Sequence, residues 1–320
     1  MRCAKLSLIL TVGLACTSAL AQSGYPTQPI RFVVPFTPGN SSDVTARAIA
    51  QKIAGPLGQP VVVENKPGAN GGIGMQTVAR SKADGYTFAI STVSTTVVPP
   101  IISKSVPFDL FKDFIPVATM ANTPLLITVS SDSPYKSISD LVAAAKKAPG
   151  TMTYGNSAGL YRIAMEAMNH YAGIDLMGIP FKGASQATTE LLAGRLTVNP
   201  DALGAAAPML QGKRTRALAV MGSTRSPSLP GVPTMQELGY KEFVFNGWLG
   251  VLAPAGTPQP IIDRIHKEIA EAVKSPEILS LYARLGMDPA VLSPQAYREE
   301  MKKDFARYSA VAQRAGIEKE

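Results

Sequence analysis

The chain has 320 residues, 46% of them apolar and 17% charged, with 31 basic against 23 acidic side chains and a formal charge of +8. That length can hold two domains, and the composition describes a packed globular chain and excludes a disordered one. The basic residues are scattered, and the densest patch, Lys213-Arg214-Thr215-Arg216, has no interleaved aromatics; this argues against a nucleic-acid partner and leaves a surface that attracts anions mildly.

In chain order, Arg2 and Lys5 precede an apolar run over residues 6–14 and then Ala19-Leu20-Ala21. This is the pattern of a secretory signal with an A-x-A cleavage site, and the run is too short for a membrane span. Residues 1–21 are expected to be removed near Ala21, giving a soluble periplasmic chain. Without Arg2 and Lys5 the balance is 29 basic against 23 acidic residues, or +6. The alternative is a lipid anchor on Cys16 in Leu14-Ala15-Cys16, against which the small Gly13 stands. Cys3 and Cys16 both lie in this segment, so the mature chain is expected to have no disulfide, thiol nucleophile or thiolate metal site.

Apolar strand-like runs then alternate with helical periods. Ile30, Phe32, Val33 and Val34 form a strand that runs through Pro35 into the loop Phe36-Thr37-Pro38-Gly39-Asn40-Ser41-Ser42, and Asp43, Val44, Ala46, Ile49 and Ile53 open a helix. A strand, a polar loop and a helix start make an anion site, because the first helical N–H groups have no internal acceptor and the helix dipole favours negative charge there. The loop has hydroxyls and an amide but no Lys, His or Cys, which suits gripping a carboxylate better than transforming one. Strands are expected at 60–64, 86–90, 125–129, 178–181, 196–198, 216–221 and 248–253. Helices are expected at 71–81, 139–147 (with Ser139 as N-cap), 163–171, 185–193, 260–273, 277–285 and 294–315. This alternation predicts an α/β protein with two parallel-dominated mixed sheets flanked by helices. Ligands bind beyond the carboxyl ends of such strands. The loops after strands at 35–42, 91–96, 155–159 and 200–202 are therefore expected to share one cleft.

Each motif has a bland reading beside a functional one. Gly68-Ala69-Asn70-Gly71-Gly72-Ile73-Gly74 fits neither dinucleotide nor Walker spacing and reads as a tight strand-to-helix turn. Gly155-Asn156-Ser157-Ala158-Gly159 matches G-x-S-x-G in letters, so the alternative function is an exported serine hydrolase using Ser157. Only His170 and His266 could serve as its base, or as ligands of a transition metal; no metal site and no cofactor are expected. Asp43 either caps its helix or shapes the loop for a ligand, and Asp201 either completes a turn or lines the cleft. Arg162 is either a surface residue or a bidentate partner for a ligand carboxylate.

Tyr25-Pro26, Pro29-Ile30-Arg31, Val33-Val34-Pro35-Phe36 with Pro38-Gly39 and Asp43, Val62-Val63-Glu64-Asn65-Lys66-Pro67-Gly68-Ala69, and Ala83-Asp84-Gly85-Tyr86-Thr87 follow one another along the chain. Pro180-Phe181-Lys182-Gly183, Arg216-Ala217-Leu218-Ala219-Val220, Trp248-Leu249-Gly250 and Ala253-Pro254-Ala255-Gly256-Thr257-Pro258 continue the series. With these segments the chain resembles the Bug (Bordetella uptake gene) family, the periplasmic solute-binding receptors of tripartite tricarboxylate transporters. The resemblance implies a two-lobed, type II-like binding protein, not an enzyme, that closes on a small carboxylate and docks as a monomer on membrane permease subunits. Carried over, its ligand loops are residues 36–43 and 155–162 (among them Asn156, Ser157, Ala158, Gly159 and Arg162). Thr92, Ser94, Thr95 and Asp201 line the rest of the cleft. The implied lobes are residues 22–123 with 248–320, and residues 124–247. Two departures stand out. Asn40 replaces a second glycine, where its tolerance of left-handed angles would keep the turn and its amide would add a ligand contact. Arg162 stands where the family often has His, which leans the ligand towards a dicarboxylate.

Overall fold

The computed structural model describes residues 24–181 and 183–319; the signal segment, Ala21 and Cys16 lie outside the described residues. The chain builds β1 (Ile30–Val34), α1 (Ser41–Leu57), β2 (Val61–Asn65), α2 (Gly72–Ala79), β3 (Thr87–Thr92), α3 (Val93–Thr96), α4 (Pro99–Ile102) and β4 (Phe114–Thr123). It crosses over to β5 (Leu125–Ser130), α5 (Ile138–Lys147), β6 (Met152–Asn156), α6 (Gly159–Ala172), β7 (Leu176–Pro180), α7 (Ala184–Leu192), β8 (Asn199–Ala202), α8 (Leu203–Gln211) and β9 (Thr215–Val220). It then returns through β10 (Gly247–Pro254), α9 (Gln259–Val273), α10 (Pro276–Leu285), β11 (Asp288–Pro289) and α11 (Pro294–Arg314).

The first sheet has six strands in the order β11-β4-β10-β3-β1-β2. β1 pairs in parallel with β2 and β3, as strands joined by crossover helices must. β10, which re-enters from the other lobe, pairs antiparallel with β3 and β4. In the second lobe β5 pairs antiparallel with β8 and β9, and β6 pairs in parallel with β7. A parallel bridge from Tyr154 to Val198 joins the two groups. The strands thus form three sheets: the first has two parallel and three antiparallel pairings, β8-β5-β9 is antiparallel, and β6-β7 is parallel, the strands next to the crossings between lobes supplying the antiparallel part.

Period-3.6 apolar faces explain the helix placement. On α1, Ala46, Ile49, Ala50, Ile53 and Leu57 are buried, and on α9 Ile262, Ile265 and Ile269; all belong to one core with Phe32, Phe88 and Val251 of the first sheet. On α6, Leu160, Ile163, Ala164, Ala167 and Met168 are buried. Two local expectations are corrected. α5 is capped by Ser137, whose hydroxyl accepts from the Asp140 N–H, and not by Ser139. Residues 200–202 are not a loop but the body of β8, because pairing with β5 and the bridge at Val198 impose an extended backbone despite Pro200.

The lobes are tied by more than the two backbone crossings. α11 packs on β4 and on α6, and an apolar core runs from Val33 and Val98 through Ile163 to Tyr308. Tyr308 stacks on Phe245, 5.2 Å between centroids. The Trp248 Nε1–H donates to Asp304 Oδ2 over 2.9 Å, and both side chains are buried. Burial pushes the Asp304 carboxyl up to about 6, with the Trp248 hydrogen bond opposing. Above that pH the carboxylate is charged in the native state and leans on this donor. Trp248→Phe should therefore cost about 1–3 kcal/mol in urea unfolding, with a larger loss at pH 8 than at pH 5. An equal loss at both pH values would show that packing alone is at stake.

Candidate functional site

Two joined cavities lie between the lobes. The first, about 240 Å³, is lined by Asn40, Ser41 and Ser42, by Thr92, Val93 and Ser94, and by Ala158, Leu160, Tyr161 and Ala202, with Trp248, Gly247, Thr123 and Leu125 of the crossings and Leu249 and Met287 behind. The second, about 360 Å³, shares Phe36, Ser94 and Ala158 with it and adds Thr37, Thr95, Ser157, Gly159, residues 67–72 and the wall from Val98 to Phe108. Among the described residues, neither cavity has a charged side chain in its lining.

Helix starts supply the polarity instead. α1 begins at Ser41, where the Asn40 side chain accepts from the Asp43 N–H and its carbonyl from the Val44 N–H; the Ser41 and Ser42 N–H groups have no acceptor among the described residues. Opposite, α6 begins at Gly159 with Ala158 as N-cap and no side-chain cap, so the Gly159 and Leu160 N–H groups are equally unspent. α8 starts at Leu203, directly after the lining residue Ala202. Helices from both lobes thus aim their positive ends at one small cavity.

The loop before α1 is braced from behind. Asp43 accepts from the Gly39 N–H (2.9 Å), Arg47 (3.1 Å) and Asn65 (2.9 Å), and Asn65 also donates to the Phe36 carbonyl. Against the cost of burial, these partners hold the Asp43 carboxyl below its usual range. Asp43 is thus a loop former whose side chain is 4% exposed, and it lines neither cavity. The expected left-handed angle at Asn40 is corrected: Asn40 is extended (φ −74°) because it serves as N-cap, and Gly39 takes the positive φ of 89°.

The lobes touch where glycines allow it. A Cβ on Gly159 would lie 2.8 Å from Val98 Cγ1 and 2.7 Å from Ile102 Cδ1, and one on Gly204 would lie 2.9 Å from the Leu285 carbonyl carbon. Both contacts join α6 or α8 to the opposite lobe.

The structure brings Phe36, Thr37, Asn40, Ser41, Ser42, Thr92, Ser94, Thr95, Ser157, Ala158 and Gly159 to the cavity walls. It leaves Pro38, Gly39, Asp43, Asn156, Arg162 and Asp201 out of them. Arg162 lies one turn into α6, near enough to Tyr154 for its charge to oppose the raising of that phenol by burial and Glu166. Asp201 sits just behind the lining: its Oδ1 accepts from the Ala202 N–H (2.8 Å), and Asn199 and Thr188 approach its Oδ2 at 3.5 Å. Burial pushes Asp201 up to about 7, and burial, with the Asp201 charge adding to it, raises Tyr161 in turn. Sequence reasoning missed Trp248, although it stood in one of the quoted motifs, and held Leu160, Tyr161 and Ala202 only as members of the ranges 155–162 and 200–202. It also read Gly68–Gly72 as a mere turn, whereas these residues wall the second cavity. Among the described residues Ser157 Oγ has no hydrogen-bond partner, so neither histidine is placed as its base. His266 bonds instead to the Val117 carbonyl. Among the described residues no group of His, Cys, Asp or Glu could hold a metal ion.

Two α/β lobes that meet over an uncharged, dipole-lined cleft define a solute-binding protein. Residues 45–317 match the model of the tripartite tricarboxylate transporter family receptor, and the chain belongs to that family. It is similar to BugT of Bordetella pertussis, with 34% identity over 96% of this chain and 95% of that protein. Among solved structures it is similar to Rpa4515 of R. palustris with adipate (TM-score 0.83, 32% identity, 92% of this chain and 100% of that one). It is also similar to MatC of Rhodopseudomonas palustris with bound malate (TM-score 0.78, 26% identity, 90% and 99%).

Two outcomes follow from the geometry. Gly159→Val should hold the lobes apart and weaken binding of an anionic ligand about tenfold by calorimetry, while the melting temperature without ligand changes little; unchanged affinity would mean that the Gly159 contact is not needed for closure. Asp201 titrates near neutrality behind the anion cavity, with Tyr161, Thr188 and Asn199 around it. Its charge should repel a bound anion, so affinity should fall as pH rises from 6 to 8. A coupling of about 1 kcal/mol makes that fall about fivefold, and Asp201→Asn should flatten it. A slope that persists in the variant would assign it to another group.

Proposed function

We propose that this receptor captures a small carboxylate, dicarboxylates first among them, in the cavity between α1, α6 and α8 and delivers it to the permease subunits of a tripartite tricarboxylate transporter. The observation that carries this reading is the convergence of helix starts from both lobes on one cavity without charged side chains. A carboxylate there accepts from the N–H groups of Ser41, Ser42, Gly159 and Leu160 and from nearby hydroxyls, each helix start adding about 0.3–1 kcal/mol of charge stabilisation. The adipate and malate in the two R. palustris relatives support a dicarboxylate. Arg162, outside both cavities, is not the group that selects it.

The lobes are taken as residues 22–123 with 248–320, and residues 124–247, α11 packing on both. The working form is a monomer, exported and cleaved near Ala21; a Cys16 anchor would tether the same receptor. The receptor reading takes the ligand to be held and released unchanged, and it is supported by membership of a receptor family.

A thermal-shift screen of mono-, di- and tricarboxylates tests this. A ligand at 100 times its Kd adds about 2.7 kcal/mol to the native state, enough to raise the melting temperature by several degrees. Expected is a shift with at least one dicarboxylate and no turnover. The reading fails if no carboxylate stabilises the protein, or if incubation with the corresponding esters releases product that Ser157→Ala abolishes.

A further inference from the structure

The second cavity has no place in that account, yet it is the larger of the two, about 360 against 240 Å³. It opens on the first past Phe36, Ser94 and Ala158, which line both. Its far wall is apolar: Val98, Pro99 and Ile102 on α4, then Val106, Pro107 and Phe108. It also begins a helix, α2, but that helix start is already spent: the Gly71 N–H donates to the Gly68 carbonyl and the Gly72 N–H to the Ala69 carbonyl. The unspent N–H groups of Ser41, Ser42 and Leu160 therefore belong to the first cavity, and that of Gly159 stands beside Ala158, where the two cavities meet. The second offers hydroxyls, among them the partnerless Ser157 Oγ, and no cation.

A four-carbon dicarboxylate placed at the helix starts would leave the second cavity unfilled and its apolar wall without contacts. From this division of labour we infer that the ligand is an elongated carboxylate. One carboxylate sits at the helix starts, and an apolar segment of several carbons passes Phe36 and lies against Val98, Ile102 and Phe108. The inference rests on the carboxylate reading above and narrows it: charge is recognised in one chamber, length and apolarity in the other. A methylene buried from water strengthens binding about fourfold, so the second chamber, not the helix starts, would set the preference among acids of different length.

Calorimetry with succinate, adipate and suberate, and with butyrate and octanoate, tests it. Expected is a rise in affinity of about tenfold or more from four to eight carbons in at least one series. Val106→Trp, which fills the second chamber away from the Gly159 contact, should remove that gain while changing affinity for the four-carbon acid less than about twofold. Ser105→Trp, at the exposed rim of the same chamber, should act in the same direction without burying a new ring in the core, and so covers the case in which Val106→Trp does not fold. The inference is overturned if affinity is flat or falls with length, or if the substitutions weaken short and long acids alike. If no acid of any length binds, it is the carboxylate reading itself that fails.

Discussion

An anion that leaves water without meeting a cation is held only by dipoles already aimed at it, since a carboxylate stripped of solvent with nothing aligned around it is very costly. In this receptor those dipoles are the first turns of α1 and α6, with α8 beginning beside them. Each is worth little alone. Their value depends on being fixed in direction before the ligand arrives, and much of the surrounding structure fixes them. Asp43 clasps Gly39, Arg47 and Asn65 behind the first loop. Asp201 ties the Ala202 N–H at the start of α8. Neither carboxylate lines either cavity, and both hold backbone in place.

The same constraint acts on the joint between the lobes. Helix starts that belong to different lobes must come within reach of one small molecule, which requires close backbone approach. Gly159 against Val98 and Ile102, and Gly204 against Leu285, are where that approach happens, and a side chain at either would be in contact with the opposite lobe. The lobes are held in register from the other side by α11, through the Phe245–Tyr308 stack, while the Trp248–Asp304 hydrogen bond fixes α11 to β10. Trp248 belongs to both systems, since it lines the first cavity and anchors α11. The cavity wall and the anchor of α11 therefore meet in one side chain.

What the sequence disclosed follows from what is local. The strand, loop and helix start at residues 30–46 were legible because a polar loop between an apolar strand and a helical period has one physical meaning. The periods of α1, α6 and α9 likewise showed their buried faces. What escaped depended on contacts between distant segments. Pro200 hid β8, which exists only because β5 and Val198 hold it extended. Arg162, a cation at the right place in the chain, reads as a ligand group, but one helical turn carries it past the cavity rim. The short helices α3 and α4 have no period to read, and yet α4 supplies the apolar wall of the second chamber.

A site built from backbone dipoles has a consequence for selectivity. Helix starts favour negative charge without distinguishing one carboxylate from another, whereas a fixed guanidinium would favour planar bidentate groups. Discrimination must then come from the walls. The first chamber's walls set small and polar groups beside Leu125, Leu160, Tyr161, Trp248 and Met287. The second chamber's are apolar and shaped by residues 98–108, a stretch that carries little of the fold's core beyond Val98, Ile101 and Phe108. Such a stretch can change its side chains without disturbing the sheet or the anion cradle. One way of holding charge can thus be combined with many ways of reading the rest of the ligand, and in this chain the proposed reading surface lies chiefly on α4 and the loop that follows it.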